Sequence, residues 1–468
     1  MTGRRLPEPA EVVERALGHS RGEACIVVVE DRSEVDSRFA NNTTTTNGWR
    51  HQRRVAAVSI QKVAGGLAVG AASRSGDPDL EELVAAAEAD ARSAPVAQDA
   101  APLVEAAGGP RSGGSPLEEP PGTADPAMLA PVLEDLAAAF DRARSAGHVL
   151  AGFVTHTIET SYLGTTSGIR LRHAQPTGSA ELVARSPDGS RSAWAGSGMA
   201  APEQVDLPAM HRSLEQRLAW ASRRIDLPAG RYETILPPDA TADLMVFLYE
   251  DLSGRDAEDG RSVFSAPGGG TKVGGALSDL PLELRSDPGE PGVQCAPFLV
   301  TTASSSDVSV FDNGMALERT VWIEGGRLRR LFYHRAAAAR SGVAAAAPID
   351  NLVLELPGAT GSVEEMIGRT RRGLLLTCLW YVRTVDPVTA LLTGLTRDGV
   401  YLVEDGEVVG AVNNFRFNES PVDLLRRLTE VGASTRAFPR ESGEWMNRTV
   451  MPPVRVADFN MSTVSPAT

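Results

Sequence analysis

Pro228-Ala-Gly-Arg-Tyr-Glu-Thr-Ile-Leu-Pro-Pro238 is the stretch that divides this chain. It reads as a strand held between two breakers, because proline neither continues a helix nor donates to a sheet ladder. A helix is expected directly after it, over 239–253. Beyond that helix, β signals dominate. The apolar runs 296–303, 319–324, 352–356 and 399–404 alternate with turn signals such as Asn313-Gly314, Gly325-Gly326, Asp398-Gly399 and Asp405-Gly406. Val400-Tyr-Leu-Val-Glu-Asp-Gly-Glu-Val-Val409 is the best single hairpin. Helices interrupt at 362–371 and 420–431, and the Ala-rich stretch 336–347 reads equally as helix or loop.

Upstream of the divide, helix and strand signals mix. Residues 9–18 read as a short helix. Ala24-Cys-Ile-Val-Val-Val-Glu-Asp31 is a continuous run with the pattern of a buried strand. Further strands are expected at 38–40, 47–60 and 65–72, and a helix at 80–93. Residues 96–126 read as a linker, because Gly108-Gly109-Pro110, Gly113-Gly114-Ser115-Pro116 and Pro120-Pro121-Gly122 support neither helix nor central strand. Asp125 and Pro126 then open a helix over 127–146 that Gly147 closes. Strands follow at 148–163 and 168–185, and a helix at about 203–224. That helix carries His211, Arg212, Arg217, Arg223 and Arg224, either a site for an acidic partner or a solvated face whose cations suit the helix dipole. The organisation expected is therefore an α+β domain over 1–95, the linker, a central α+β domain over 127–227 and a β-rich domain over 228–468. The fold class is α+β, with mixed sheets and helices in the N-terminal half and an antiparallel, barrel-like C-terminal domain.

The 468 residues include 46 Lys+Arg against 60 Asp+Glu, a formal net charge of −14. That balance disfavours nucleic acid as a partner, since the phosphate backbone attracts basic surfaces. Cys25, Cys295 and Cys378 are widely spaced and resemble neither a disulfide framework nor a zinc knuckle, which fits a reducing, cytoplasmic compartment. No apolar run is long enough to span a membrane, and no signal-peptide pattern opens the chain.

The familiar chemical motifs are missing. The seven histidines, at 19, 51, 148, 156, 173, 211 and 334, never pair at the helical spacing a zinc peptidase needs. Gly268-Gly-Gly-Thr-Lys272-Val-Gly-Gly275 lacks the Gly-Lys-Ser/Thr order of a phosphate loop. Ala195-Gly-Ser197-Gly198 lacks the first glycine of a nucleophile elbow. Cys378 lies in the apolar run Leu374 to Val382, where a thiol is a small hydrophobe before it is a nucleophile. Glu250 and Asp251 are adjacent at a helix end and do not share a face.

Four segments, in order and at matching spacing, resemble the TldD/PmbA family, metallopeptidase-like proteins once called modulators of DNA gyrase. They are Tyr162-Leu-Gly-Thr-Thr-Ser-Gly-Ile-Arg-Leu-Arg-His-Ala-Gln-Pro-Thr-Gly178, the entry segment Gly230 to Leu244, Phe311-Asp-Asn-Gly-Met315, and the hairpin Gly399 to Val408. The resemblance covers roughly residues 25–440. It implies an α+β N-terminal half, a β-rich C-terminal half, and subunits that work in pairs. One subunit of such a pair carries His-Glu-x-x-x-His on the helix after the entry segment, with a cysteine from later in the chain as third zinc ligand. The other subunit lacks the motif and completes the cavity.

This chain departs from the zinc-binding type at the decisive place. Counting from Ile235-Leu236, the His-Glu pair falls at Val246 and Phe247, and the second His at Asp251. The resemblance therefore implies the non-catalytic, PmbA/TldE-type subunit. It would have no catalytic residue and no metal of its own, and zinc would lie in a TldD-like partner of a heterodimer or higher hetero-oligomer. The substrates implied are unfolded or small peptides, or peptide-like metabolites. Arg170, Arg172 and His173 are the candidates for gripping a peptide carboxylate. Arg170 and Arg172 share one face of a strand there, and His173 points to the other. Two other readings stay open: a stand-alone amide or peptide hydrolase on the same scaffold, using a site such as Cys378, His173 or Glu250, and a protein-interaction regulator.

Overall fold

In a computed structural model of the chain, residues 6–106 and 116–466 are described. Residues 107–115, inside the linker of the sequence reading, lie outside them. Residues before and after that linker build one six-stranded antiparallel sheet. Strands β1 (Ala24–Ala40), β2 (Thr43–Val63) and β3 (Gly66–Ser75) join β4 (Val149–Thr165), β5 (Arg170–Arg185) and β6 (Ser192–Met199) in the spatial order β3-β2-β1-β4-β5-β6. The strands expected at 24–31 and 38–40 are therefore one. Residues 25–29 of that strand are buried on both faces, and much of the remainder alternates.

Helices α1 (Pro9–Gly18) and α2 (Leu80–Ser93) cover one end of a sheet face, meeting Cys25, Val27, Val29, Val55 and Ala57. Asp79 starts α2 by accepting the Glu82 N–H at 3.0 Å. Helices α3 (Ala130–Ala146) and α4 (Leu207–Trp220) cover the other end of the same face, over Val35, Phe39, Val154 and Leu182. Gly147 ends α3 at φ 71°, a left-handed conformation that glycine takes without strain. On the opposite face, Ile26, Val28, Val58 and Leu163 pack against Phe298, Val310 and Phe311 of the C-terminal half. That docking explains the run 296–303. Phe298 makes only an isolated bridge with Ala316, so the run is apolar because it is wedged under the sheet, not because it is a strand.

The C-terminal half begins with β7 (Arg224–Ile225) and β8 (Gly230–Leu236), followed by α5 (Pro238–Glu250). Two sheets follow. One has six strands, and its centre is Glu283–Ser286 paired to Thr320–Glu324 and Leu352–Glu355. The other has ten, with β8 between Val454–Val464 and Arg372–Leu376. The α+β class is as expected, and the antiparallel, barrel-like description of this half is sharpened in two respects. The path of the ten-stranded sheet does not close on itself. Pairing is also mixed, because β8 runs parallel to Arg372–Leu376, as does Leu352–Glu355 to Thr449–Met451. The hairpin at 400–409 forms as expected. The helix expected at 420–431 stops at Arg426 and passes into a strand, Leu428–Val431. No helix among the described residues is long and apolar enough to cross a membrane.

Candidate functional site

Helix α5 is placed by its own sequence. Pro237 is the N-cap and Pro238 occupies the first turn, where the missing N–H costs nothing and the fixed φ favours the helix. From Leu244 to Tyr249 the helix carries only apolar and aromatic side chains, nearly all of them buried. Leu244, Met245, Val246 and Leu248 are fully buried in one cluster with residues of both C-terminal sheets, among them Leu284, Trp322, Leu352, Leu374 and Val454. Tyr249 fixes the far end. Its hydroxyl donates to the Ile349 carbonyl at 2.9 Å and accepts the Ile349 N–H at 2.7 Å, and its ring stands edge-on to Trp322 and Phe332.

Val246, Phe247 and Asp251 can therefore be judged in place. Val246 is 0% exposed, and Phe247 packs against the same core. Neither has a donor atom. Asp251 caps the helix, and one of its carboxylate oxygens is buried without a hydrogen-bond partner. Burial, with Glu250 and Asp256 nearby, pushes its carboxyl from 3.8 to about 7. Glu250 is raised as well, chiefly by burial, although the Trp445 indole donates to it at 3.2 Å. Among the described residues no three His, Cys, Asp or Glu side chains converge as metal ligands. One carboxylate beside two hydrocarbon side chains does not fit a zinc ion, which takes three or four N, S or O donors.

A polar cluster that the sequence did not reveal lies along the first half of α5. Asp239 accepts the Phe438 N–H at 2.8 Å, and Asp243 accepts the Glu441 N–H at 2.9 Å. Four residues apart, the two carboxyls face one segment. Burial raises Asp239 to about 6 and Asp243 well above the usual carboxylate range, with Glu441 adding repulsion at Asp243. Arg440 of the same segment lies over the Trp380 ring and 5.8 Å from the centre of Trp194. Trp194, on β6, stacks on Phe438 and donates to Glu181 at 3.0 Å. Segment 438–448 thus bridges α5 and the N-terminal sheet. It continues through Asn447 to the Gly178 carbonyl and through Arg448 to Thr177 and Asp350. Its hydrogen bonds to α5 and to β5 join residues 198 to 271 positions apart, so no local pattern could announce them.

The other candidates are scattered. Arg170 forms an ion pair with Glu14 of α1 and donates to the Thr165 carbonyl at 2.8 Å. Arg172 is buried against the Tyr162 ring, with Glu119 at 3.0 Å and the Pro120 carbonyl at 2.7 Å. His173 lies on the opposite face, at 2.9 Å from Gln175 and edge-on to Phe298, and burial lowers its pKa. Cys378 is enclosed with Trp194 and Phe438, and burial pushes its thiol up. Cys378, His173 and Glu250 each have different neighbours and do not form one site. Lys272 of the Gly-rich loop is spent on the Val263 carbonyl at 2.6 Å.

The sequence model of the PmbA/TldA metallopeptidase C-terminal domain matches residues 229–463, half of the chain, beginning at β8 and taking in α5 and segment 438–448. The chain belongs to the PmbA/TldD family. Solved structures agree at the level of fold. TldE from Thermococcus kodakarensis superposes with a TM-score of 0.77 at 17% identity, covering 96% of this chain and 98% of that one. A candidate modulator of DNA gyrase from Thermotoga maritima gives 0.75 at 17% identity, over 96% and 99%. Another from Bacteroides thetaiotaomicron gives 0.74 at 15%, over 97% and 98%. No curated protein matches in sequence. In this PmbA/TldD chain, the helix after the entry strand is a packing element.

Proposed function

We propose that this chain is the non-catalytic subunit of a heteromeric zinc metallopeptidase, forming part of the cavity in which a TldD-like partner cleaves unfolded or small peptides. The observation that carries the reading is α5. The helix is present and buried, and the three positions where the family's zinc-binding subunit has His, Glu and His hold Val246, Phe247 and Asp251. Family membership supplies the context, and the side chains at these positions support the reading. Arg170, Arg172 and His173 remain the proposed peptide contacts, although each already has a partner within the chain. The three cysteines are free and buried, which suits a reducing, cytoplasmic setting.

The test is metal content followed by reconstitution. The purified chain is expected to hold less than about a tenth of an equivalent of zinc after dialysis, because Val246 and Phe247 offer no donor atom and one carboxylate cannot hold the ion. Peptidase activity is expected only with a co-expressed subunit bearing His-Glu-x-x-x-His. Near one equivalent of zinc, or peptide cleavage by the single chain, overturns the assignment.

A further inference from the structure

Of the cations that α4 and its end carry, Arg217 faces a cavity. The cavity has a volume of about 490 Å³, in the range of small-ligand sites, and lies between the two halves of the chain. Ser213, Gln216, Arg217 and Trp220 of α4 form one wall. They recur at three and four residues and so share a helix face, beside the buried stripe of Leu207, His211, Leu214 and Leu218. The other walls come from the C-terminal half: helix Val363–Gly368, strand Arg372–Leu376 and the turn of the hairpin at 400–409.

This lining is incomplete in two respects. Ile235, Met366, Leu375, Tyr401 and Val403 form a small buried cluster, against which Trp220, Val363, Ile367 and Val408 pack while staying only half-buried. All four line the cavity, so the open side of the cluster is the cavity itself, and an apolar group placed there would close it. The Trp220 ring is held edge-on to Tyr401, with 5.3 Å between centroids. The second respect is charge. Arg217 is half-buried, and its Nη1 donates to the Trp194 carbonyl at 2.5 Å, but among the described residues it forms no ion pair. Asp239 feels its charge, yet accepts from the Phe438 N–H instead. Glu364 and Glu407, the two carboxylates of the lining, are exposed and stand on the C-terminal elements, also without an ion pair among the described residues.

We propose that this cavity binds a free amino acid with an aromatic side chain, its carboxylate on Arg217, its ring against Trp220 and its ammonium toward Glu364 and Glu407. Each part of the ligand answers a group the chain leaves without a partner. A guanidinium is matched by a carboxylate, and the remaining Arg217 donors are free to take one. The half-buried wall is matched by a ring, for which an indole is the best neighbour. A phosphate or nucleotide would meet two carboxylates. A fatty acid would leave them unanswered, and a simple cation would meet Arg217. The site does not involve Val246, Phe247 or Asp251 and stands apart from the subunit assignment.

The test is isothermal titration calorimetry on the full chain with L-phenylalanine, 3-phenylpropionate, which lacks the ammonium, and phenethylamine, which lacks the carboxylate. L-Phenylalanine is expected to bind with a Kd below about 1 mM. Phenethylamine is expected to bind at least about tenfold more weakly, and 3-phenylpropionate severalfold more weakly. Arg217→Gln, whose amide can still donate to the Trp194 carbonyl, should weaken L-phenylalanine about tenfold or more. Glu407→Gln, at an exposed position that does not threaten folding, should weaken L-phenylalanine but not 3-phenylpropionate. No binding of L-phenylalanine at about 10 mM overturns the proposal. Equal affinity for the three probes, or a Glu407→Gln variant that weakens L-phenylalanine and 3-phenylpropionate alike, does so too.

Discussion

Burial raises the Asp239 carboxyl from 3.8 to about 6 and that of Asp251 to about 7. Between the unfolded and folded values the native state binds the extra proton, so stability falls as pH rises through that window. The contribution is complete below about pH 4 and lost above about pH 6 for Asp239. Asp239→Asn keeps an oxygen for the Phe438 N–H and removes the titration. The thermal midpoint of the parent chain is expected to decline from pH 4 to 6 more steeply than that of the variant, measured by differential scanning calorimetry. Equal slopes would show that the Asp239 carboxyl is not raised in the folded state. In the sequence, Asp239 is an ordinary acid in a helix's first turn. Its partner is 199 residues away, and the desolvation that shifts it belongs to the assembled core.

At the scale of the element, α5 and its entry strand were legible because every signal for them is local: two prolines, a short alternating strand and an apolar stretch. The same held for α2 and for the hairpin at 400–409. The run 296–303 was misread because an apolar segment buried under another sheet has the composition of a strand without its partners. The ladder of β1 with β4 was beyond reach, since it pairs residues more than a hundred positions apart. Reading α5 as a packing helix gives a stability prediction. Val246→His puts an imidazole where no polar partner exists and should cost about 1–3 kcal/mol in chemical denaturation. A neutral result, or a gain on adding zinc, would mean that the helix retains room for a ligand.

The whole molecule is held by contacts between its halves. Arg335 donates to Asp312 at 2.7 Å, to the Phe311 carbonyl at 2.6 Å and to the Pro102 carbonyl at 2.7 Å, tying the segment before residue 106 to the C-terminal half. Asp312 is 1% exposed, so Arg335→Ala leaves a buried carboxylate without its counter-charge. Limited proteolysis within 96–106 is expected to accelerate severalfold, with a lower thermal midpoint. An unchanged digest would place the restraint elsewhere, as with Ser309 to Asp99. The position of strand Val454–Val464 bears on how the chain matures. It lies between β8 and Phe415–Glu419, in the interior of the ten-stranded sheet. During synthesis β8 emerges more than two hundred residues ahead of that neighbour, so the C-terminal half cannot complete its largest sheet until Val454–Val464 has been made. Its apolar strands stay open to other chains in the meantime, and sheet pairing over so long a separation is intrinsically slow.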